Sequence, residues 1–133
     1  MMKKVITFGV FDYFHYGHLR LFMRCRALGD FLIVAVHKDE DVQRTKPGTK
    51  ILYSLEKRTE IIENLKCVDK VVPYSSVDKD IVNIDFDILV VGPDQTHDGF
   101  KRAIEWCKKN NKDVVVLDRT PGISSSQLRK GMN

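Results

Sequence analysis

Cysteine is scarce in this chain: Cys25, Cys67 and Cys107 are the three present among 133 residues. The number is odd and no two form a C-x-x-C pair, so neither a disulfide framework nor a cysteine-based zinc cluster is expected. Free thiols in a reducing cytoplasm are the simpler account. The net charge of +4 comes without any Lys/Arg-rich run, and so small an excess suits an anionic small molecule rather than nucleic acid. Lys3 and Lys4 are not followed by a long apolar stretch, so no signal peptide and no membrane span are expected. No repeat and no low-complexity linker interrupts the chain. At 133 residues it suffices for one domain with one core, spanning 1–133, and not for two ordinary ones. With 43% hydrophobic and 30% charged residues it has the balance of an ordered globular protein.

What is present is alternation. Val5-Ile6-Thr7-Phe8 is a short β-rich run ending at Gly9, and Leu19 to Leu28 has apolar residues at helical spacing and stops at Gly29. Phe31 to Val36 is continuously apolar, as a strand buried on both faces is. Leu55 to Leu65 reads as a helix with Ser54 at its N-cap and Glu56 in its first turn. Val71-Val72 and Ile88 to Val91 are strand candidates, Phe100 to Lys109 is helical, and Val114 to Leu117 is another strand. Ser124 stands where it could cap a last helix through Leu128. The pattern predicts an α/β fold: a single-domain, Rossmann-like, doubly wound parallel sheet of about five strands with helices on both faces.

Ligands of such sheets bind beyond the carboxyl ends of the strands. The segments there are Gly9 through His18, His37-Lys38-Asp39, Gly92-Pro93-Asp94 and Asp118-Arg119-Thr120, and all are rich in polar, charged and glycine residues. In the first, His15 and His18 are three apart. If a helix begins near Tyr16 or Gly17, both imidazoles lie at its amino end, with free backbone N–H groups and the positive end of the dipole. Gly17 between them lets a phosphate come close to the backbone. Such a cradle suits a pentacoordinate phosphorus carrying extra negative charge. The helix start disfavours a protonated histidine, and a bound triphosphate reverses that preference. Taken alone, the spacing could equally be chance or a metal pair.

Gly9-Val10-Phe11-Asp12-Tyr13-Phe14-His15-Tyr16-Gly17-His18 resembles the G-x-F-D-x-x-H-x-G-H signature of the cytidylyltransferase-like nucleotidyltransferases. Arg119-Thr120-Pro121-Gly122-Ile123-Ser124-Ser125 is similar to that family's second signature, R-T-x-G-I-S-T. The first motif is shared with adenylyltransferases; the second narrows the resemblance to cytidylyl transfer. It points to the glycerol-3-phosphate cytidylyltransferase group, which also holds the choline- and ethanolamine-phosphate enzymes.

The resemblance implies CTP and a phosphorylated alcohol as substrates, Mg²⁺ carried on the CTP phosphates, a homodimer, a cytoplasmic location, and a product for teichoic acid, capsule or lipid precursors. It implies catalytic roles for His15, His18, Arg119 and the mobile-loop lysine, for which Lys46 is the first choice and Lys50 the second. Nucleotide contacts would come from Gly9, Val10, Phe11, Asp12, Gly17, Gly92, Asp94, Arg119, Thr120, Gly122, Ile123, Ser124 and Ser125. Arg58, Lys50 and Lys66 would serve the acceptor. The chain departs from the glycerol-3-phosphate pattern at Pro93, Gln95, Lys66, Pro121 and Ser125. Lysine in place of arginine at 66 gives up the bidentate fork for a phosphate. The departures leave the nucleotide side intact and bear on which alcohol is accepted.

Other conspicuous residues carry plainer readings. Asp39-Glu40-Asp41 is expected to be a solvated loop rather than a metal site, and Thr45 to Lys50, with Pro47 and Gly48, a flexible loop. Trp106 and Cys107 are expected in the core, and Cys25 and Cys67 lack a neighbouring histidine to activate them. His37 and His97 stand near strand ends, where each could touch a ligand or simply be a loop histidine. Two rival functions remain at this stage: adenylyl transfer on the same scaffold, and a non-catalytic nucleotide sensor, which would not need both histidines.

Overall fold

The computed structural model describes residues 2–45, 48 and 50–118. Five strands, β1 (Lys4–Gly9), β2 (Phe31–His37), β3 (Lys70–Tyr74), β4 (Ile88–Val91) and β5 (Asp113–Val116), form one sheet in the order β3-β2-β1-β4-β5. Every pairing is parallel. The chain therefore starts in the middle, winds outward through β2 and β3, then returns to build β4 and β5 on the other side. The order reverses between β1 and β4, and a crevice opens at the carboxyl ends there.

Successive side chains of a strand point to opposite faces, so each apolar run feeds two layers. On one face Ile6, Phe8, Leu89 and Val91 pack with Phe100, Ala103 and Cys107 of α5 (Asp98–Lys109), and with Val77 of α4 (Val77–Asp80). On the other, Val5, Val34, Val36 and Val90 pack with Phe22 and Cys25 of α1 (Tyr16–Arg26) and Ile62 of α3 (Leu55–Glu63). The expected architecture, with helices on both faces of a five-stranded parallel sheet, is the one observed.

Helix boundaries follow from caps. Ser54 caps α3 as expected, accepting from the backbone N–H of Lys57. α5 starts two residues ahead of the expected Phe100, because His97 accepts from Gly99 N–H and opens the helix at Asp98. α1 starts at Tyr16 and ends at Arg26, and the chain then turns toward Gly29. A β-carbon at Gly29 would stand 2.6 Å from the Lys3 carbonyl, so the entry to β1 needs glycine there.

The reading of Asp39-Glu40-Asp41 as a solvated loop is overturned. Asp39–Thr45 is a helix, α2, entered through bonds from the Asp41 and Val42 N–H groups to the Lys38 carbonyl. Three acids in its first turn favour the positive end of the helix dipole, and Val42 is fully buried. The stretch α4 plus the short 3-10 turn Ile81–Asn83 had no reading from sequence, and its Val77 and Ile81 close one end of the core. As expected, Cys107 of α5 is fully buried and Trp106 of the same helix packs against the core; Cys25 of α1 is fully buried as well.

Candidate active site

β1 ends at Gly9, and Val10–Phe14 then turn sharply into α1. Phe11 and Tyr13 take φ of 55° and 51°, left-handed conformations that cost of order 1–3 kcal/mol each in a non-glycine residue. Three anchors hold them. The Phe11 ring lies over Gly9, where a β-carbon would come within 2.7 Å of it. The same ring meets Phe22 edge-on at 4.9 Å. Asp12, almost wholly buried, accepts from the backbone N–H groups of Leu52 and Tyr53. The resemblance set Asp12 beside the triphosphate; here its carboxylate ties the turn to the segment that leads into α3.

His15 is the N-cap of α1. Its Nδ1 accepts from Gly17 N–H at 2.9 Å, and the Nδ1 of His18 accepts from His15 N–H at 3.3 Å. This reciprocal pair is a capping box built from two histidines. The rings stack with centroids 3.9 Å apart and planes 20° from parallel. Because each Nδ1 accepts, each neutral ring carries its proton on Nε2. The site thus holds two N–H donors side by side at a helix start, both oriented by the backbone.

Burial sets their charge state. His18 is enclosed by His15, by Phe14 and by the edge-on Phe11, and its pKa falls to about 3, first through burial and then through the charge of His15. Burial also lowers His15. Both rings are neutral near neutral pH, the state in which Nδ1 can accept. A folded-state pKa lowered from 6.5 means that the unfolded chain binds the proton first as pH falls. Stability contributed by neutral His18 is therefore complete above about pH 6.5 and lost progressively toward about pH 3. His18→Gln keeps a capping-box side chain without the titration. Urea unfolding at about pH 7 and about pH 4 is expected to show wild type losing more stability than this variant. Parallel losses would contradict the buried neutral imidazole.

Arg58 is the second anchor of the site. Only 1% of it is exposed. Nε donates to the Tyr53 carbonyl, Nη1 to the carbonyls of Val10 and His37, and Nη2 to Asp39. The resemblance assigned it to a phosphate. The structure gives it four internal acceptors that join the ends of β1 and β2 to α2 and α3. Lys50, exposed, stands two residues before the Leu52 that Asp12 holds. Lys66 lies apart from all of these, in the connection that enters β3 at the amino edge of the sheet, opposite His15.

Beyond β4, Gly92 opens onto free space: a β-carbon there would meet nothing within 4 Å. Its N–H donates to the Gln95 side chain, whose amide in turn donates to the Phe8 carbonyl at 2.6 Å. Gln95 thereby pins the carboxyl ends of β1 and β4 together at the reversal point. Asp94 is exposed beside it. A cavity of about 800 Å³ lies here, lined by Gly9, Val10, Asp94 and Gln95, and by residues from β2, α4 and α5. His37 and Tyr74 line it too, stacked at 4.6 Å, with His37 Nε2 3.2 Å from the Ser75 carbonyl.

Sequence reasoning did not single out Tyr74, Ser75, Ser76, Asp78 or Arg102, which also line this space, nor the bridging role of Gln95. The strand-end rule would have reached the first four had β3 been drawn to its full length. Pro73 concealed that length, and it is tolerated because β3 is an edge strand. Lys46 and the second motif, Arg119, Thr120, Gly122, Ile123, Ser124 and Ser125, lie outside the described residues, as does the expected last helix. The chain is fixed up to that point by Leu117 N–H on the Val91 carbonyl and by Arg24 on the Asp118 carbonyl. Burial raises the Cys25 thiol to about 12 and the Cys107 thiol to about 11, so neither is a ready nucleophile. Among the described residues there is no cluster of three metal-binding side chains, and no helix is long and apolar enough to cross a membrane.

Comparison with known proteins bears on this geometry. The chain is 41% identical to the glycerol-3-phosphate cytidylyltransferase of Bacillus spizizenii over 98% of each chain. It is 37% identical to that of Bacillus subtilis over 97% of this chain and 96% of the relative. Among solved structures, the lipopolysaccharide core biosynthesis protein of Thermoplasma volcanium superposes with a TM-score of 0.74 at 26% identity, over 90% of this chain and 98% of that one. The cytidylyltransferase-like family model matches residues 6–131, a span from β1 through the second motif. With the paired histidines at the start of α1 and the order of the sheet, that match makes this chain a member of the cytidylyltransferase-like family.

Proposed function

We propose that the chain transfers a cytidylyl group from CTP to a phosphorylated alcohol, first of all sn-glycerol 3-phosphate, giving CDP-glycerol and pyrophosphate. The observation that carries the reading is the stacked His15–His18 pair, two oriented Nε2–H donors at the amino end of α1. An oxygen of the acceptor phosphate attacks the α-phosphorus in line. The new P–O bond forms as the bond to the β-phosphate oxygen breaks, and pyrophosphate leaves with that electron pair. The nucleophile is already anionic, so neither a general base nor a covalent enzyme intermediate is needed. Catalysis is then positioning plus neutralisation of charge.

The histidines donate to the oxygens where negative charge peaks. Their Nδ1 bonds fix those donors before substrate arrives, so little reorganisation is needed at the moment of reaction. In this reading Arg58 is a positioning residue that holds the Val10 carbonyl, and with it the histidine-bearing turn. Lys46 or Lys50 and Arg119 supply the remaining positive charge, and the Arg119–Ser125 motif selects cytosine. The described residues offer no carboxylate cage, and Asp12 is engaged by backbone donors. That donor set suits Mg²⁺ carried on the triphosphate, where it supplies charge neutralisation. We also place the enzyme in the cytoplasm as a homodimer, which sedimentation over a range of concentrations tests: a concentration-independent monomer contradicts the dimer.

Pyrophosphate release from CTP and from ATP, each with glycerol 3-phosphate, phosphocholine, phosphoethanolamine and a sugar-alcohol phosphate, tests the reaction. The expected outcome is release with CTP and glycerol 3-phosphate. Release with ATP in preference to CTP would move the chain to the adenylyl branch, and none with any pair would leave a nucleotide-binding domain.

A further inference from the structure

The ladder between β1 and β4 stops one step early. Its last pair is Thr7 with Val90, whereas β1 stays on β2 through Gly9 and Val36. In a parallel pair of this register the next rung would run from the Gly92 N–H to the Phe8 carbonyl. Instead, Gly92 N–H donates to Gln95 Oε1 at 3.0 Å, and Gln95 Nε2 donates to the Phe8 carbonyl at 2.6 Å. The Gln95 carboxamide is thus inserted into the rung, its oxygen standing in for one strand and its nitrogen for the other.

A direct rung spans about 2.9 Å. With an amide between them, the two strand ends stand farther apart. Satisfying these polar groups does not require the insertion, because the Phe8 carbonyl and the Gly92 N–H would satisfy each other. What the insertion adds is spacing. Gln95 is aimed by its own turn: its N–H donates to the Gly92 carbonyl at 3.1 Å, which folds the side chain back across the strand ends. The place is the point where the strand order reverses, the point at which ligands enter such sheets. Gly9 and Val10, which lead into the histidine turn, line the same opening as Gln95. Position 95 is also one at which the chain departs from the glycerol-3-phosphate pattern, so the device belongs to this chain's own sequence.

We propose that Gln95 is a positioning residue that keeps the carboxyl ends of β1 and β4 one amide apart, and so sets the width of the crevice that the nucleotide enters. Without it the sheet would zip up by one rung, drawing Gly92 toward Phe8 and narrowing the crevice at its base. The histidine turn would keep its place, since Asp12 and Arg58 hold it from the α3 side. The inference rests on the cytidylyl-transfer reading for the identity of the nucleotide, and adds a residue that acts on fit rather than on the transfer step.

The test compares wild type with Gln95→Ala on isotope-labelled protein. Couplings across hydrogen bonds, read by nuclear magnetic resonance, report which carbonyl each amide nitrogen faces, and a dispersed spectrum shows that the variant is folded. In wild type the Gly92 nitrogen is expected to couple to the side-chain carbonyl carbon of Gln95, and in Gln95→Ala to the backbone carbonyl carbon of Phe8. Gln95→Asn, too short by a methylene to span both partners, is the second variant and is expected to behave alike. The dissociation constant for CTP, by calorimetry, is expected to rise about tenfold, the effect of a pocket misfitted by a methylene's width, while kcat at saturating CTP changes little. Absence of the Gly92-to-Phe8 coupling in both variants overturns the inserted rung. A rung that closes with CTP affinity unchanged, or a loss that falls on kcat instead of affinity, overturns the role in crevice width. Wild type that binds CTP but transfers nothing to any acceptor overturns the transfer reading alone, since the couplings and affinities still decide this inference. Wild type that does not bind CTP overturns both.

Discussion

His15→Ala and His18→Ala are each expected to lower kcat by on the order of 10²–10³, the effect of removing one preorganised donor from a site of developing charge. The KM for CTP should change little, because the lost interaction belongs chiefly to the transition state. The two variants also remove halves of the histidine capping box, worth about 1 kcal/mol of helix stability. That loss must be separated from catalysis. His18→Gln does so: the amide serves as a capping-box partner, and its nitrogen reaches about as far as Nε2. Partial recovery of kcat in His18→Gln over His18→Ala is the expected signature of a donor. Stopped-assay kinetics at saturating CTP checks both points, and wild-type turnover in either alanine variant would remove the histidines from the mechanism.

The second large effect concerns Arg58. Replacing it by methionine fills the same space but leaves the carbonyls of Val10, His37 and Tyr53 and the Asp39 carboxylate without their donor. Leaving a buried acceptor without its donor costs about 1–3 kcal/mol, and three carbonyls lose theirs, while the Asp39 side chain, 40% exposed, can turn to water, so the loss is about 3–5 kcal/mol in all. In a domain of this size that corresponds to a fall in Tm of roughly 10–20 °C. Arg58→Lys keeps the charge and loses the fork, so it should be intermediate in Tm. In both variants kcat should fall at temperatures where the protein is still folded, because the Val10 carbonyl belongs to the turn that carries His15. Thermal unfolding followed by circular dichroism, paired with turnover at a low temperature, separates the two effects. An Arg58→Met variant as stable as wild type would show that the hub is dispensable.

The sheet was legible because parallel strands covered on both faces need continuous apolar runs, and Phe31–Val36 and Ile88–Val91 are such runs. His15 and His18 were legible for a local reason: their geometry depends on each other, on Gly17 and on a helix start, all within four residues. Features built from distant partners were not. Arg58 reaches acceptors 48 and 21 positions away, and nothing in its own helix announces that its guanidinium is engaged internally. Asp39-Glu40-Asp41 read as a solvated run because three acids in succession are usually exposed. The helix forms through the Lys38 carbonyl and buried Val42, and Asp39 pairs with Arg58. Lys66 stands where the family pattern has an arginine, while the direction of the strands sets it at the far edge of the sheet. The polar cavity escaped because Pro73 shortened the apparent β3, so Tyr74 through Asp78 were never placed at a strand end.

The most direct measurement follows the phosphorus itself. CTP labelled at the α-phosphate is incubated with glycerol 3-phosphate and either wild type or His18→Ala, and the nucleotide products are separated. The label is expected in CDP-glycerol, one for each pyrophosphate released, with the variant slower by on the order of 10²–10³. Label that stays in CTP, that appears as free CMP, or that reaches CDP-glycerol equally fast without His18 would contradict cytidylyl transfer by the histidine pair.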